Sequence, residues 1–351
     1  MRAKRCAGVR ATAIVVLHGD GACAIVAGMS VHRHVLEASA QASEADTPAA
    51  LAVVVGTEGS TYVRRGAMAL FGEAGPEAGW LSGGCLEPDI ALRAKQAIDA
   101  ARLSWMEIDT RDDEDLLSGS APGCRGRLRI ALLPLRALPG WSTQVQAWLR
   151  REGELRLQVH AEGTVAAQIG GRRSDWSLAT DALPWPAAEM TAIRVPAPSA
   201  IAVFGAGPET AMLLPLLRQL GWMTLVVERR QRWLPAAALG DRTLDATPQV
   251  GVAALGDARI DAALVMHHNF ELDREALAAL AATDLPYIGL LGPHRRRDDL
   301  FKLLAAHERE RLSARLHSPV GLPLGGQGPE AIALSIAAQL QAWRAGRGDG
   351  E

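Results

Sequence analysis

The sequence predicts an α/β protein of two domains, an α+β domain followed by a Rossmann-like domain with a doubly wound parallel sheet. Its 351 residues suit two domains of the usual roughly 100–200 residues each. After residue 199, short apolar runs alternate with helical patterns, which is typical of a parallel sheet covered on both faces. Two prolines, Pro196 and Pro198, stiffen the segment before that change, so we place the domains at 29–195 and 199–345.

Local patterns predict the elements of the first domain. Apolar residues at helical spacing indicate helices, and short apolar runs bounded by glycines indicate strands. The predicted order is a helix at 32–42, a strand at 51–61, a glycine-dense hairpin at 67–84, a helix at 86–103, strands at 105–110 and 128–135, a helix at 140–152 and short strands within 155–195. A polar, glycine-rich loop at 111–127 joins the two middle strands.

The second domain follows an alternating order. Its predicted elements are a strand at 201–207, a helix at 208–222, strands at 223–230 and 260–269, a helix at 271–282, a strand at 286–292 and a helix at 295–312. Ligands of such sheets bind beyond the carboxyl ends of the strands, where the strand order reverses.

Composition excludes several classes of protein. A formal net charge of −2 gives no reason to expect nonspecific binding to nucleic acid. No run of apolar residues reaches the roughly 18 that a membrane helix requires. The four cysteines form no C-x-x-C pair, so we expect free thiols in a reduced, cytoplasmic protein. We interpret residues 1–28 as an extension or a disordered arm; a signal peptide is the alternative, but Arg10 interrupts its apolar run.

A glycine-rich turn joins the first strand and helix of the second domain. Gly205 and Gly207 let a backbone approach a pyrophosphate, and Glu228 ends the next strand, where an acid can bind ribose hydroxyls. Thr210 stands where a dinucleotide fingerprint has its third glycine. The turn therefore indicates either nucleotide binding or a packing role alone.

Two histidines, His267 and His268, end the third strand of this domain and face the same predicted crevice. A histidine there can bind a metal, contact a phosphate or move protons. Glu271 and Asp273 are the nearest carboxylates that could complete a metal site, and a loop carbonyl that satisfies the ring is the alternative.

Two cysteines lie in glycine-rich surroundings. Cys85 follows Gly83 and Gly84 at the predicted start of a helix, and a helix N-terminus favours a thiolate. Cys124 lies between glycines beside Arg125. Both are predicted as soft metal ligands or nucleophiles, and two small buried hydrophobes are the alternative.

Several long motifs resemble the XdhC/CoxI family. They include GWLSGGCLEPDI and PGCRGRLRIALLP in the first domain, and IAVFGAGPET, VMHHNFELDREAL and YIGLLGPHRRRDDL in the second. The similarity runs in order from about residue 47 to 344. It implies an XdhC/CoxI N-terminal domain followed by a Rossmann domain, and a dimeric accessory factor of molybdenum hydroxylases.

The resemblance implies a cargo and partners. Such a protein binds molybdenum cofactor (molybdopterin, plain or as the cytosine dinucleotide), protects it and supports its sulfuration with a cysteine desulfurase. It then delivers the cofactor to an apo-hydroxylase of the xanthine dehydrogenase or aldehyde oxidoreductase type. By position, the implied binding residues are Arg64, Cys85, Glu87, Cys124, Gly205, Gly207, Glu228 and His268, with Cys85 and Cys124 as metal ligands.

Two rival functions stay open at this point. One is an NAD(P)-dependent Rossmann oxidoreductase, although no Tyr-x-x-x-Lys follows the glycine turn. The other is a redox sensor that uses Cys85 and Cys124. For the accessory function, we expect the two sulfurs and the strand-end crevice to face one cleft.

Overall fold

The computed structural model describes residues 32–111, 125–186 and 190–348. The first domain contains a five-stranded antiparallel sheet of order β3-β2-β1-β5-β4 and a four-stranded antiparallel sheet of order β8-β7-β6-β9. Its elements are α1 (His32–Glu44), β1 (Ala49–Gly59), β2 (Met68–Gly72), β3 (Gly75–Ala78), α2 (Glu87–Ala100), β4 (Ser104–Asp109), β5 (Gly126–Pro134), α3 (Trp141–Leu149), β6 (Leu155–His160), β7 (Thr164–Ile169), β8 (Arg172–Ser177) and β9 (Met190–Val195).

Both faces of the five-stranded sheet are buried, which explains the unbroken apolar run of its central strand β1. Helix α2 covers one face with Ile90, Ala94 and Ala97, and it packs on residues of alternate positions in β1 and β5. Helices α1 and α3 lie in the core on the other face, which also includes the inner face of the four-stranded sheet. The N-terminus of α2, and with it Cys85, is therefore supported by a rigid layer.

The second domain is a six-stranded parallel sheet of order β12-β11-β10-β13-β14-β15, which confirms the predicted Rossmann-like fold. Its elements are β10 (Ala200–Phe204), α4 (Thr210–Gln219), β11 (Met223–Val227), α5 (Leu234–Ala237), β12 (Arg242–Leu244), α6 (Pro248–Ala253), α7 (Leu255–Ala258), β13 (Ala262–Val265), α8 (Phe270–Ala281), β14 (Tyr287–Leu290), α9 (His294–Leu303), α10 (Ala306–Ser313), β15 (Leu316–His317) and α11 (Pro329–Gly348). Sequence patterns missed the short edge strands β12 and β15.

The strand order reverses between β10 and β13, because the chain runs outward from β10 to β12 and then returns to the other side of β10. Gly205 follows β10 and His267 follows β13 closely, so both lie at this switch point. A Cβ atom on Gly205 would lie 2.5 Å from the Cα atom of His267. The close approach of the two strand ends, together with a φ of +92°, therefore requires glycine at 205.

The two domains meet at the opposite end of this sheet, where its strands begin. Arg33 on α1 binds the carboxylate of Asp241, directly before β12, and the carbonyl of Trp222, directly before β11. Arg151, which follows α3, binds Asp261, directly before β13, at 2.7 Å. In the described part of the chain, no helix is long and apolar enough to cross a membrane.

Candidate functional site

The segment 79–87, called the Cys85 loop below, holds one exposed thiol on a fixed backbone. It leaves β3 and enters α2 at Glu87. Gly79 and Gly84 have φ angles of +78° and +104°, which side chains other than glycine rarely adopt. Cys85 lies on the outer side of this turn, where its side chain is exposed.

A buried carboxylate organises the Cys85 loop from below. Glu87 is 4% exposed, and its Oε1 accepts the backbone N–H groups of Leu81 at 3.2 Å and Ser82 at 2.8 Å. Its Oε2 accepts the hydroxyl proton of Ser82. The Ser82 Oγ accepts in turn from the N–H groups of Gly84 and Leu86, each at 3.1 Å, and from the Cys85 thiol at 3.8 Å. Glu87 therefore orients the thiol through Ser82.

The charge of Glu87 is stabilised by these donors. Burial alone raises the pKa of this carboxyl, but hydrogen bonds from the Ser82 hydroxyl and from the amides of the loop outweigh burial and hold the pKa below its usual value. The carboxylate is therefore a structural anion that fixes the loop at neutral pH.

The outer surface of the Cys85 loop is open. A Cβ atom on Gly83 or Gly84 would meet no other atom within 4 Å. Gly83 does not have a positive φ, so neither strain nor packing requires glycine there. Trp80, within the loop, and Tyr62, at the cavity beneath it, are 60% and 59% exposed. That cavity has a volume of about 20 Å³, enough for one water molecule, so a larger ligand would bind on the outer side.

The glycine turn of the second domain is closed by its own hydrogen bonds. The N–H groups of Gly205, Ala206 and Gly207 donate to the Val227 carbonyl, the Glu228 carboxylate and the Thr210 hydroxyl at 2.9, 2.8 and 2.8 Å. These are the amides that a pyrophosphate would use in a dinucleotide site. Thr210, which weakened the sequence fingerprint, is thus the acceptor that satisfies one of them.

The acid at the end of β11 is also occupied. Glu228 is 1% exposed and binds the backbone N–H and the guanidinium of Arg230 at 2.7 and 2.9 Å. Arg230 also donates to the carbonyls of His267 at 2.6 Å and Ala206 at 2.9 Å. Burial alone raises the pKa of Glu228, but the Arg230 hydrogen bonds outweigh it and lower the pKa. Arg230 therefore occupies the carboxylate oxygens that would accept from a ribose.

The two histidines have different partners. His267 is buried, and its Nδ1 lies 3.0 Å from the Oδ1 of Asp273, whose second oxygen accepts from Arg296 at 2.5 Å. His268 is half exposed, has a φ of +54°, and its Nε2 lies 2.9 Å from Glu209. The Glu209 hydrogen bond raises the pKa of His268.

Neither histidine belongs to a metal cluster. Within the described residues, no group of three or more His, Cys, Asp and Glu side chains is arranged to hold a metal ion. The sequence made Asp273 a candidate ligand of a metal site. In the structure, its carboxylate instead pairs with the buried ring of His267. Cys124, the predicted second metal ligand, lies outside the described residues, as do residues 1–28.

The described residues that were predicted to face one cleft lie in separate regions of the chain. The small cavity at Cys85 is lined by first-domain residues alone, and the domain contacts at Arg33 and Arg151 lie at the amino ends of the parallel strands. The predicted second-domain residues lie at or beyond the carboxyl ends; they are Gly205, Gly207, Glu228 and His268. Arg64 lines a third region, a cavity between the domains, rather than the Cys85 cavity.

Comparison with known proteins accounts for both domains. The model of the XdhC and CoxI family matches residues 42–109, and the model of the XdhC Rossmann domain matches residues 201–340, together more than half of the chain. The chain belongs to the XdhC and CoxI family. The family assignment covers the Cys85 loop and the strand-end turn, which lie in the first and second matched regions.

Two relatives in this comparison cover most of the chain. One is a protein of Bacillus subtilis (strain 168) named as a probable xanthine dehydrogenase subunit. It is 28% identical over 318 residues, which are 83% of this chain and 92% of the relative. The other is a crystal structure from Bacillus halodurans titled as a xanthine dehydrogenase. It has a TM-score of 0.71 and 27% identity, and the match covers 92% of this chain and 97% of that one.

Sequence patterns did not reveal the side chains that support the site residues of this XdhC and CoxI family member. They are Ser82, Glu209, Arg230 and Arg296. No helix-cap pattern marks Ser82, because it lies four residues before the N-cap residue Leu86. The others contact partners more than twenty residues away or across a loop, which no local pattern reports.

Proposed function

We propose that this protein is an accessory factor for a xanthine dehydrogenase-type molybdenum hydroxylase and that it binds molybdenum cofactor as cargo at the Cys85 loop. The family and the names of its two relatives support a link with xanthine dehydrogenase. The single observation that carries the binding site is an exposed thiol held by a buried Ser82–Glu87 pair on a turn whose outer side is open.

The residues of the Cys85 loop suit this cargo. A cysteine sulfur is a soft ligand, which matches a metal held by sulfur. Gly83 leaves space for a ligand to approach the backbone, although the fold itself does not require glycine there. The Glu87 carboxylate and the Ser82 hydroxyl do not face outward, because their oxygens accept donors from within the loop. They keep the thiol in one position without repelling an anionic ligand directly.

In the proposed function, Cys85 retains and shields the cargo during its sulfuration, for which a cysteine desulfurase would supply the sulfur. The apo-hydroxylase then receives the mature cofactor. The protein acts by binding and orienting, and we assign it no hydroxylation of substrate. Homodimerisation and Cys124 as a second sulfur ligand belong to the same proposal, and the sequence resemblance is their support.

We propose that NAD(P) is not its ligand. The three amides of the glycine turn and the carboxylate of Glu228 all have partners within the chain, so a dinucleotide would have to break at least the Arg230–Glu228 contacts. Titration with NADH, followed by its fluorescence, is expected to show no saturable binding at micromolar concentration. Saturable binding with turnover of any substrate would favour the oxidoreductase instead.

The decisive experiment measures retained molybdenum. The purified full chain is incubated with molybdenum cofactor, separated from free cofactor, and analysed for bound metal by mass spectrometry. We expect Cys85→Ser, which replaces a soft sulfur by oxygen at nearly the same volume, to retain about tenfold less, and Cys124→Ser to retain less than wild type. Met212→Leu, which removes an exposed sulfur from α4, is the matched control and should retain the wild-type amount.

Equal retention by wild type and Cys85→Ser would remove the thiol from the proposal. Transfer is then tested by mixing the loaded protein with apo-xanthine dehydrogenase and following recovery of hydroxylase activity. Recovery no faster than with free cofactor would contradict a delivery role.

A further inference from the structure

A basic cavity lies between the two domains, away from the Cys85 loop and from the carboxyl ends of the parallel strands. Its volume is about 250 Å³. It is bounded by the loop before β2, by β9, by the linker Pro196–Ser199 and by helix α11. We propose that this interdomain cavity is a binding site for a phosphate group, either of inorganic phosphate or pyrophosphate or of a small phosphomonoester.

The charges around the interdomain cavity are of one sign. Arg64, Arg65, Arg194 and Arg344 line it, and its described lining contains no aspartate or glutamate. In the described part of the chain, none of these four guanidinium groups forms an ion pair with a carboxylate. Arg65 donates to the Ala192 carbonyl at 3.0 Å, which leaves its charge uncompensated. Four like charges around one small space repel each other, and an anion there would remove that repulsion.

A fifth arginine in the lining, Arg33, has a structural role and differs from the other four in its charge partners. Arg33 is 2% exposed and is neutralised by Asp241 and Glu37, the latter at 2.9 Å. Both carboxylates, together with Arg33, line a different pocket between the domains. The other four arginines have no such carboxylate partner among the described residues, so ion pairing within the protein does not explain them.

Arg344 is the strongest indication of a missing anion, because it is buried. It is 7% exposed, and its Nη2 donates to the Leu220 carbonyl at 2.8 Å and to Gln341. Its Nε has no partner among the described residues, and its guanidinium lies 5.0 Å from the ring of Trp222. Burial without a carboxylate lowers the pKa of Arg344. A buried cation with an unsatisfied donor is costly, and an anion in the cavity would supply the missing partner.

The size of the interdomain cavity and the form of its donors select the ligand class. Drug-sized ligands occupy roughly 300–1,000 Å³, so this cavity suits a smaller group. Guanidinium groups donate in a planar fork that matches the oxygens of phosphate, and a tetrahedral phosphate can accept from several such forks at once. A carboxylate offers only two oxygens and fits four converging arginines less well. The phosphate site is separate from the Cys85 loop of the proposed function, although Arg64, which lines it, is one of the cofactor-binding residues that the resemblance implies.

The experiment is a calorimetric titration of the full chain with inorganic phosphate, pyrophosphate and cytidine monophosphate, each at constant ionic strength in chloride. We expect saturable binding with a Kd between micromolar and low millimolar. Arg344→Gln and Arg194→Gln should each weaken it about tenfold, since each removes a charge-assisted hydrogen bond. Arg194 is exposed, so its variant stays informative if Arg344→Gln does not fold. Arg173→Gln, on β8 and exposed but paired with Asp175, is the matched control and should bind as wild type.

The three ligands separate the possible sources of the phosphate group. Tighter binding of cytidine monophosphate than of inorganic phosphate supports a phosphomonoester ligand, and the reverse order supports a free anion. No saturable binding of any of the three would overturn the proposal. Equal loss of affinity in Arg194→Gln and Arg173→Gln would also overturn it, because the effect would then follow net charge rather than the cavity.

Discussion

At the scale of single residues, the Cys85 loop depends on Glu87 more than on Cys85 itself. The cysteine makes one weak contact, with the Ser82 hydroxyl at 3.8 Å, whereas Glu87 accepts three donors from the loop. The sequence marked Glu87 because it belongs to a recognisable motif and follows the cysteine closely. It could not show that the carboxylate points inward, because that orientation depends on the fold of the preceding turn.

Glu87→Gln is expected to destabilise the protein in a pH-dependent way. The folded-state pKa of Glu87 is below its ordinary value, so its stabilisation is present above the unfolded-state pKa and is lost as the pH falls through the folded-state pKa. At pH 7 the free energy of unfolding of the variant should be about 1.5–3 kcal/mol lower than that of wild type, which is the usual contribution of a hydrogen bond to a charged group. Urea unfolding at pH 7 and in acid measures this, and a difference that does not shrink in acid would contradict it.

Two adjacent glycines should respond differently to alanine. Gly84 has a φ of +104°, so Gly84→Ala should cost about 1–2 kcal/mol of unfolding free energy. Gly83 has no positive φ and open space at its Cβ position, so Gly83→Ala should leave stability within about 0.5 kcal/mol. Chemical denaturation of both variants tests the pair. If Gly83→Ala proved the more damaging, the outer side of the loop would not be open as described.

At the scale of elements, the strand-end turn of the second domain shows where sequence patterns stop. Apolar runs that alternate with helices predicted β10, β11, β13 and β14. A parallel strand is buried on both faces, so its own residues must be apolar, and this is visible in the local sequence. The short edge strands β12 and β15 lack such a run. Arg230 also escaped notice, since its role follows from the carbonyls of Ala206 and His267, which come together only in the folded sheet.

Glu209→Gln should lower the pKa of His268 toward its ordinary value. The wild-type pKa is raised by the Glu209 hydrogen bond, so the pair stabilises the turn below about pH 6.5 and loses this effect as the pH rises through the raised pKa. An NMR titration of the His268 ring measures the change. Glu271→Gln, which removes an exposed carboxylate on the neighbouring helix α8, is the control and should leave the His268 pKa unchanged. An equal pKa in wild type and Glu209→Gln would show that the hydrogen bond is absent in solution.

At the scale of the whole molecule, the docking of the domains could not be read from the sequence. Two prolines and a change of sequence pattern marked the domain boundary. Nothing in the sequence showed which residues pair across the interface. Arg33, Asp241 and Arg218 lie far apart in the chain and form one network with Glu37 at the interface. Their proximity is a property of the assembled fold. The separate elements were predicted well, whereas one common cleft stays a prediction, because Cys124 lies outside the described residues.

Arg33→Met should loosen the interface, whereas Arg218→Gln should not. Both arginines bind Asp241 and Glu37, but Arg33 is 2% exposed and Arg218 is 50% exposed. Removing Arg33 leaves the largely buried Asp241 with only the exposed Arg218 as its counter-charge and should cost about 3 kcal/mol, while an exposed pair contributes about 0–1 kcal/mol. Scanning calorimetry should show two separated transitions for Arg33→Met. A single wild-type transition in that variant would mean that apolar contacts hold the domains together.

The attachment of the first domain at the amino ends of the parallel strands has a consequence for genetics. Because residue sets such as Ser82 with Glu87 and Glu209 with His268 share no partner, their defects should combine additively in a double mutant. A natural variant that altered one of the two surfaces would leave the other intact. Separate selection could therefore act on each half of the chain, even though both halves are translated and folded together.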